Sequence, residues 1–454
     1  MAPRPNILVI LTDQQSATMM SCAGNPHLST PAVDGLAAEG VRFERAYCTN
    51  PVCVPSRFSL MTGRMPSEIG MLSNDTKHLE CVPAGIREHG LGFLLRLAGY
   101  EVVYAGKEHL PKMRTPDVGF DYICPDERDG LADAAADYLS RPHDRPFCLV
   151  TSFINPHDIC FMALREFTRD PRVLARLPKA VAQQAALDEA LRAPSGAAEA
   201  ELPVSLCPPL PPNFEPQADE PEALRIALEQ RPFRLRARQE WGQADWRRHR
   251  WAYARLTERV DRQIGRVLDA LRASGQDRNT LVIFTSDHGD MDAAHRLEHK
   301  SMFYEEACRI PLIIRPPGGI RPARVDDGHL ASNGLDLLPT LCDWAGVTVP
   351  GGLSGRSLRP LVEGCTDGVW RDFVPVECAI GQAVVTRTCK YAKYYLGANA
   401  EQLLDLERDS GETRNTRSDP AQAGVLTELQ QMHRRCFGAD VPDEGAVLSA
   451  LPDA

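Results

Sequence analysis

The chain has 454 residues, of which 43% are hydrophobic and 25% are charged. This balance is typical of a globular protein and excludes disordered and fibrous classes, and the length allows two to four domains. With 61 acidic and 51 basic side chains, the net charge of −10 argues against a nucleic-acid-binding surface but leaves room for a local basic pocket. No apolar run approaches the roughly 20 residues that a membrane-spanning helix needs.

The first predicted element is a buried strand at residues 7–11, which read ILVIL. This run is too short for the apolar core of a secretory signal and has no small-residue cleavage site after it, so we expect a cytoplasmic protein unless a leader was removed. The 14 cysteines form no C-x-x-C pair and no zinc spacing. In a reducing compartment, most of them are expected to be free, buried hydrophobes.

Strand and helix patterns alternate along the chain. The clearest helix covers 251–271, where Leu256, Val260 and Ile264 recur at helical spacing. Apolar strands that alternate with helices predict an α/β fold with a large, mostly parallel sheet sandwiched by helices. The remaining predicted strands are at 101–104, 147–153, 281–284 and 311–314, and the remaining helices at 30–39 and 91–98.

Composition changes suggest two domains. Residues 1–365 are predicted to form a catalytic α/β domain, with an insert at 161–250 that is helical at first and then proline-rich over 203–221. Residues 366–454 are predicted to form a smaller C-terminal α+β subdomain, with no evident structure after 438. Its predicted strands are at 372–376, 383–387 and 391–395, followed by a helix at 421–436.

Two polar pairs follow two predicted strands. Asp13 and Gln14 come after the first strand, and Asp287 and His288 come after the strand at 281–284. Ligands of open parallel sheets bind at the carboxyl ends of the strands, so the two pairs can converge on one divalent metal. Taken singly, each pair is better explained as the end of a strand or the cap of a helix.

The most specific motif lies at residues 53–64, which fit C-x-P-S-R-x-x-L-x-T-G-R at every fixed position. This motif resembles the signature of the sulfatases, the formylglycine-dependent branch of the alkaline phosphatase superfamily. The resemblance implies that Cys53 is oxidised to formylglycine, whose hydrate is the nucleophile and is oriented by Arg57. It also implies a partner that performs this conversion, either a formylglycine-generating enzyme or an anaerobic sulfatase-maturing enzyme.

Other segments extend the resemblance along the chain. Residues 5–14 are similar to the family's first strand and metal-binding turn, although many members have a second Asp where this chain has Gln14. Residues 106–110 fit G-K-x-H-L, and Asn155-Pro156-His157 resembles the family's P-H element. The segments 287–289 and 299–311 resemble the second metal pair and the second sulfate-binding lysine, and 402–415 resembles a structural pattern of the C-terminal subdomain.

These similarities imply an alkaline-phosphatase-like fold and a role for each matching residue. The metal, Ca²⁺ by family precedent with Mn²⁺ or Mg²⁺ left open, is held by Asp13, Gln14, Cys53, Asp287 and His288. Lys107 and Lys300 bind the sulfuryl group, His157 protonates the leaving group, and His109 assists collapse of the sulfated intermediate. Asn74 and His295 are weaker candidates for substrate contacts.

Three functions stay open. Sulfate-ester hydrolysis is favoured by the G-K-x-H-L element, and the expected cytoplasmic location favours a small sulfated substrate such as a mono- or disaccharide. Phosphonate monoester hydrolases and phosphodiesterases share the fold and the nucleophile, and a non-catalytic binder of sulfated ligands would result if Cys53 were never converted. No nucleic-acid or membrane partner is expected, and the oligomeric state is open. The cluster Trp241, Trp246, Trp251 and Tyr253 is better explained by packing of the long helix than by sugar stacking.

Overall fold

The computed structural model describes residues 4–77, 79–175, 177–193, 202–365 and 368–438, together with residues 442, 445, 447, 448 and 451. The strands are β1 (Asn6–Asp13), β2 (Val41–Phe43), β3 (Ala46–Tyr47), β4 (Glu101–Gly106), β5 (Asp121–Cys124), β6 (Phe147–Pro156), β7 (Thr280–Ser286), β8 (Leu312–Arg315), β9 (Arg324–Asp326), β10 (Ala331–Ser332), β11 (Val374–Cys378), β12 (Gly381–Val385), β13 (Cys389–Tyr394) and β14 (Glu401–Asp405).

The helices are α1 (Pro31–Ala37), α2 (Cys53–Thr62), α3 (Pro66–Ile69), α4 (Ala84–Arg87), α5 (Leu91–Leu97), α6 (Asp129–Leu139), α7 (Phe161–Phe167), α8 (Pro171–Leu174), α9 (Val181–Ala190), α10 (Glu222–Glu229), α11 (Pro232–Glu240), α12 (Gln243–Ala273), α13 (Glu305–Cys308), α14 (Asn333–Ala345), α15 (Arg359–Val362) and α16 (Ala423–Phe437). None of them, within the described ranges, has both the length and the apolar character that crossing a membrane requires.

An eight-stranded sheet forms the centre of the molecule, in the order β5-β4-β6-β1-β7-β8-β2-β9. β1 pairs in parallel with both β6 and β7, and every residue of these three strands is buried. Successive residues of β1 contribute to the hydrophobic cores on opposite faces, one including residues of α2, α5 and α14 and the other residues of α1, α6 and α12. The predicted α/β class, with helices on both faces of a mostly parallel sheet, is therefore confirmed.

The sheet departs from parallel pairing at β8, which is antiparallel to both β7 and β2. The apolar run in β8 gives no sign of this, because strands buried on both faces show the same hydrophobic pattern in either direction.

The long helix α12 begins at Gln243, eight residues before the predicted start at 251. Its first turns contain Trp246 and His249, which are buried among other aromatic side chains rather than aliphatic ones. Trp246 packs edge-on against Trp241 with ring centroids 4.9 Å apart, and Tyr253 lies in the same core cluster. The packing interpretation of the aromatic cluster is thus supported.

A second sheet, β11-β12-β13-β14, follows as an antiparallel meander with α16 against it. The three predicted strands and the predicted helix correspond to β11, β12, β13 and α16 within a few residues. β14 overlaps the beginning of the 402–415 segment, which was noted for its family resemblance. Residues 366 and 367, at the proposed domain boundary, and most of 439–454 lie outside the described residues, as do residues 194–200 of the predicted helical insert. The division into 1–365 and 366–454 therefore stays a prediction.

Candidate active site

The carboxyl ends of the central strands bring the predicted site residues together. Asp13 is the last residue of β1, Asp287 follows β7, and Lys107 follows β4. Cys53 is the first residue of α2, which packs across the same edge of the sheet. These four side chains are almost fully buried, as expected for a site that excludes water.

The ligating atoms of Asp13, Cys53, Asp287 and His288 all lie within 4.8 Å of one another. His288 Nδ1 lies 2.9 Å from the carbonyl of Gly289, which can only accept, so Nδ1 carries a proton and Nε2 faces the cluster. Two carboxylates and an imidazole nitrogen fit a divalent cation, and the donor set does not single out calcium, manganese or magnesium.

Gln14 adds an amide oxygen to this cluster. Its Oε1 accepts a hydrogen bond from Lys300 Nζ at 2.6 Å, and its Nε2 donates to Asp290 Oδ2 at 2.6 Å. Because a carboxylate accepts and an ammonium donates, the two contacts fix the amide so that its oxygen faces Lys300. Asp290 therefore orients a candidate metal ligand, a role that our sequence analysis missed although Asp290 stands three residues after Asp287.

Arg57 connects the two candidate carboxylate ligands. Its guanidinium contacts Asp13 Oδ2 at 2.8 Å and Asp287 Oδ2 at 2.9 Å, and also donates to the carbonyl of Lys107 and to Ser152 Oγ. Among the described residues, the guanidinium of Arg57 donates its hydrogen bonds to these groups and not to Cys53. In this structure, then, Arg57 positions the carboxylates, and its predicted orientation of a hydrate at Cys53 stays a prediction.

Lys107, Lys300 and His157 surround Cys53 and Asp13. Lys300 Nζ lies 3.0 Å from Cys53 Sγ, and Lys107 Nζ lies 2.6 Å from Asp13 Oδ2. His157 Nε2 lies 3.9 Å from Asp13 Oδ1. The arrangement gives two ammonium groups and one imidazole beside the nucleophile position, and the roles predicted for these residues stay predictions.

Charge decides the protonation states in this cluster. Burial works to raise the pKa of Asp13, but the neighbouring cations, with Lys107 foremost, hold that pKa well below its usual range. Burial and Asp13 also act to raise the pKa of the Cys53 thiol, yet Lys300, Lys107 and His288 outweigh them and bring it well below 9.0. Burial, with Lys107 and Lys300, lowers the pKa of His157 to about 4, so its ring is neutral at pH 7 before an anion binds.

Three predicted site residues, His109, Asn74 and His295, lie outside the cluster around Cys53 and Asp13. His109 has an exposed side chain, and the described residues give it no hydrogen bond or ion pair to the cluster, so its catalytic role stays a prediction. Asn74 accepts a hydrogen bond from the backbone N–H of Val54 at 3.0 Å, which caps the first turn of α2 beside Cys53.

His295 is not brought to the site. Its ring is buried and stacks on Tyr304 with centroids 4.0 Å apart, outside the lining of the cavity next to Cys53. The structure therefore gives His295 a packing role in place of the substrate contact suggested by its position near the motif.

A cavity of about 240 Å³ adjoins the cluster. Lys300, His157 and Asn74 line it, together with apolar side chains such as Phe161 and Phe233 from α7 and α11. Helices of the insert thus form part of its wall.

Comparisons with known proteins cover most of the chain. A model described as Sulfatase matches residues 5–347, and one described as the C-terminal part of N-sulphoglucosamine sulphohydrolase matches residues 293–436. Delta 4,5-hexuronate-2-O-sulfatase of Bacteroides thetaiotaomicron is 29% identical over 94% of this chain and 87% of its own. The uncharacterized sulfatase YidJ of Escherichia coli is 32% identical over 94% of this chain and 86% of its own.

A solved structure shows the same similarity in three dimensions. The structure of a 2-O GAG sulfatase superposes with a TM-score of 0.82 at 27% identity, covering 98% of this chain and 96% of that one.

Proposed function

Because this chain belongs to the sulfatase family, we propose that it hydrolyses the sulfate ester of a small sulfated carbohydrate, using a formylglycine formed from Cys53. The observation that carries the proposal is the environment of Cys53. Its buried Sγ lies 3.0 Å from Lys300 Nζ and 3.2 Å from His288 Nε2, beside the carboxylate of Asp13. The net reaction is ROSO₃⁻ + H₂O → ROH + HSO₄⁻.

Conversion of Cys53 to formylglycine avoids a chemical problem that a thiolate nucleophile would have in this reaction. A thiolate that attacked sulfur would form a thiosulfate-type product that must itself be hydrolysed at sulfur. An aldehyde hydrate instead offers one oxygen for attack and a second hydroxyl that can expel sulfate and restore the aldehyde. The proposal therefore includes a maturation enzyme as a partner.

The surrounding residues supply the rest of the chemistry. Lys107 and Lys300 bind the sulfuryl oxygens as point charges. A divalent cation, which we propose to be Ca²⁺ held by Asp13, Gln14, Asp287 and His288, would neutralise charge and lower the pKa of the hydrate when bound.

His157 is the proposed general acid for the alcohol leaving group. Its pKa near 4 reflects burial and the two lysines, and an arriving sulfate offsets the charge of those lysines. The pKa of His157 consequently rises when substrate binds, which favours the protonated ring that the leaving group needs.

The carbohydrate substrate is supported by the relatives, whose names refer to a hexuronate 2-O-sulfate and to glycosaminoglycan sulfate. A cytoplasmic site of action, also proposed, agrees with a small imported sugar rather than an intact polymer. Fractionation of the native host, with detection of the protein in the soluble cytoplasmic fraction or outside it, tests the location.

Mass spectrometry of the tryptic peptide 46–57 from native-host protein tests the nucleophile. The peptide contains Cys48 and Cys53, and Cys48 serves as a thiol control. We expect Cys48 to be alkylated while Cys53 has lost its sulfur and gained an aldehyde. Alkylation of both cysteines would contradict the proposal for that sample.

Turnover then tests the reaction class. We expect Cys53→Ala to abolish hydrolysis of 4-nitrophenyl sulfate and Cys48→Ala, the matched control on the same peptide, to retain it. Faster turnover of a phenylphosphonate ester than of the sulfate would favour the alternative function, and unchanged turnover in Cys53→Ala would refute the role of Cys53.

A further inference from the structure

Two arginines lie on the wall of the cavity beside Lys300. Arg231 immediately precedes α11 and Arg234 lies in its first turn, and both line the 240 Å³ cavity. The lining residues that the structure describes include no Asp or Glu. The cavity is therefore cationic in a protein whose net charge is −10.

Neither arginine has a close carboxylate partner. Arg231 is half-buried, and among the described residues its guanidinium forms no hydrogen bond or ion pair. Arg234 is 10% exposed; its Nη1 lies 3.4 Å from the carbonyl of Lys300, and its Nε lies 3.7 Å from Glu298 Oε1, beyond hydrogen-bonding distance.

Neighbouring arginines on the same two helices behave differently. Arg225 of α10 forms ion pairs with Glu222 and Glu229, and Arg236 of α11 is paired with Glu240. The arginines that face solvent thus have a carboxylate at close range, whereas the described residues place no carboxylate within hydrogen-bonding distance of the two that face the cavity. Burial lowers the pKa of Arg231 and of Arg234 to about 10, so both still carry a positive charge at neutral pH.

Two neighbouring guanidinium groups repel each other where no carboxylate is hydrogen-bonded to them, and a bound oxyanion would offset this repulsion. A guanidinium also offers a planar pair of donors that matches a carboxylate or sulfate. Arg234 contacts the backbone of Lys300, and both arginines line the same cavity as the proposed sulfate-binding lysine, so the potential anion site lies next to it.

We propose that the cavity binds a second anionic group of the substrate, a carboxylate or a second sulfate, and that Arg231 and Arg234 recognise it. This inference deepens the proposed function, since it rests on the sulfate ester occupying the site at Cys53 and Lys300. The substrate class then narrows from sulfated sugars in general to sugars that carry two anionic groups.

Calorimetry in a Cys53→Ala background tests the inference without requiring turnover. Two pairs of probes separate the sources of the second anion. Glucuronic acid 2-sulfate is compared with glucose 2-sulfate, and glucosamine 2-N,6-O-disulfate with N-acetylglucosamine 6-sulfate. We expect the dianionic member of at least one pair to bind at least tenfold more tightly, and the pair that shows this preference identifies the second anion.

Arginine variants connect the preference to the cavity. Arg231→Gln and Arg234→Gln should each weaken binding of the preferred dianion by about 10- to 100-fold, the range for a hydrogen bond to a charged group. Binding of the monoanionic partner should change by less than about threefold, because it makes no such contact. Arg225→Gln, on the solvent side of α10, is the matched control and should leave both affinities unchanged.

Lysine variants control for the possibility that the Gln variants lose affinity because they misfold. Arg231→Lys and Arg234→Lys retain the charge but lose the planar pair of donors, so their affinities should fall between wild type and the Gln variants. Equal binding of both members of each pair, no measurable binding of either dianion, or equal losses on both members would overturn the proposal. An unconverted Cys53 in native protein would count against the proposed function alone, since the calorimetric preference does not depend on conversion.

Discussion

At the scale of single residues, the pair of Gln14 and Asp290 shows how this chain adapts a metal site. Asp290 is buried, which raises its pKa to about 6, and it accepts the hydrogen bond that fixes the amide of Gln14. An amide contributes one negative charge less than a carboxylate in the same position. Asp290 does not replace that charge but fixes the orientation of the Gln14 amide, so this candidate ligand is positioned before a cation binds.

Replacement of Asp290 by Ala should weaken metal binding. Without the acceptor, the amide of Gln14 can rotate, and the loss of an outer partner of this kind typically costs about 10- to 100-fold in metal affinity. Asp290→Asn keeps one acceptor oxygen and should lose less. The measurement is restoration of 4-nitrophenyl sulfate turnover by Ca²⁺ or Mn²⁺ after dialysis against a chelator, with melting temperatures as a folding control. Equal metal affinity in wild type and Asp290→Ala would contradict the positioning role.

At the scale of elements, a buried carboxylate joins β11 to α3. Glu377 of β11 is 1% exposed and accepts a hydrogen bond from the backbone N–H of Ser67 at 2.6 Å. Burial, only partly offset by that hydrogen bond, raises the pKa of Glu377 to about 7. The folded protein therefore holds a proton on Glu377 at pH values where the unfolded chain has released it.

This difference predicts a pH-dependent stability. Between about pH 4.5 and 7 the native state binds more protons at Glu377 than the unfolded state, so this contribution to stability falls as the pH rises, by at most about 3 kcal/mol. Glu377→Gln keeps an acceptor for Ser67 and cannot ionise. We expect the variant to melt at a higher temperature than wild type at pH 8 and to differ little at pH 5.

Thermal unfolding at the two pH values checks this prediction. Glu428→Gln, at an exposed position of α16, is the control and should leave the melting temperature unchanged at both. A Glu377→Gln shift of the same size at pH 5 and pH 8 would show that the carboxyl does not titrate in this range.

At the scale of the whole molecule, a buried ion cluster ties the small sheet to the active-site segment. Lys390 of β13 is fully buried, and its Nζ contacts Glu305 Oε1 at 2.8 Å and Glu412 Oε1 at 2.7 Å. It also donates to the carbonyl of Phe303, three residues after Lys300. The second sheet thereby fixes the position of the segment that carries Lys300, one of the proposed sulfate-binding lysines.

Replacing Lys390 by Met should therefore destabilise the protein strongly. Removal of one partner from a buried ion cluster leaves uncompensated charge and typically costs about 3–5 kcal/mol. Lys393→Met on the same strand is the matched control, since Lys393 is only half-buried and should cost far less. Melting temperatures of the two variants measure the difference, and equal shifts would mean that the ion cluster does not stabilise the attachment of the small sheet to the active-site segment.

Much of the fold was predictable from the sequence. The central strands β1, β6 and β7 each contain a run of at least four apolar residues, and α12 repeats its aliphatic residues at helical spacing, so local patterns reveal both. The pairing direction of β8 was not predictable, because burial on both faces gives the same pattern in either direction.

The residue pattern of 53–64 and the two polar pairs, Asp13-Gln14 and Asp287-His288, by themselves determined the family, the fold class and the core of the candidate site. Those signals are local in sequence and chemically specific. Only the tertiary structure decided that Asp290 orients Gln14, that His295 packs away from the site, and that Arg231 and Arg234 face the cavity without a close carboxylate partner. The physical reason is that the sequence around an isolated Asp, His or Arg does not show whether its side chain is exposed to solvent or buried. Its role depends on which distant segments the sheet brings within hydrogen-bonding distance.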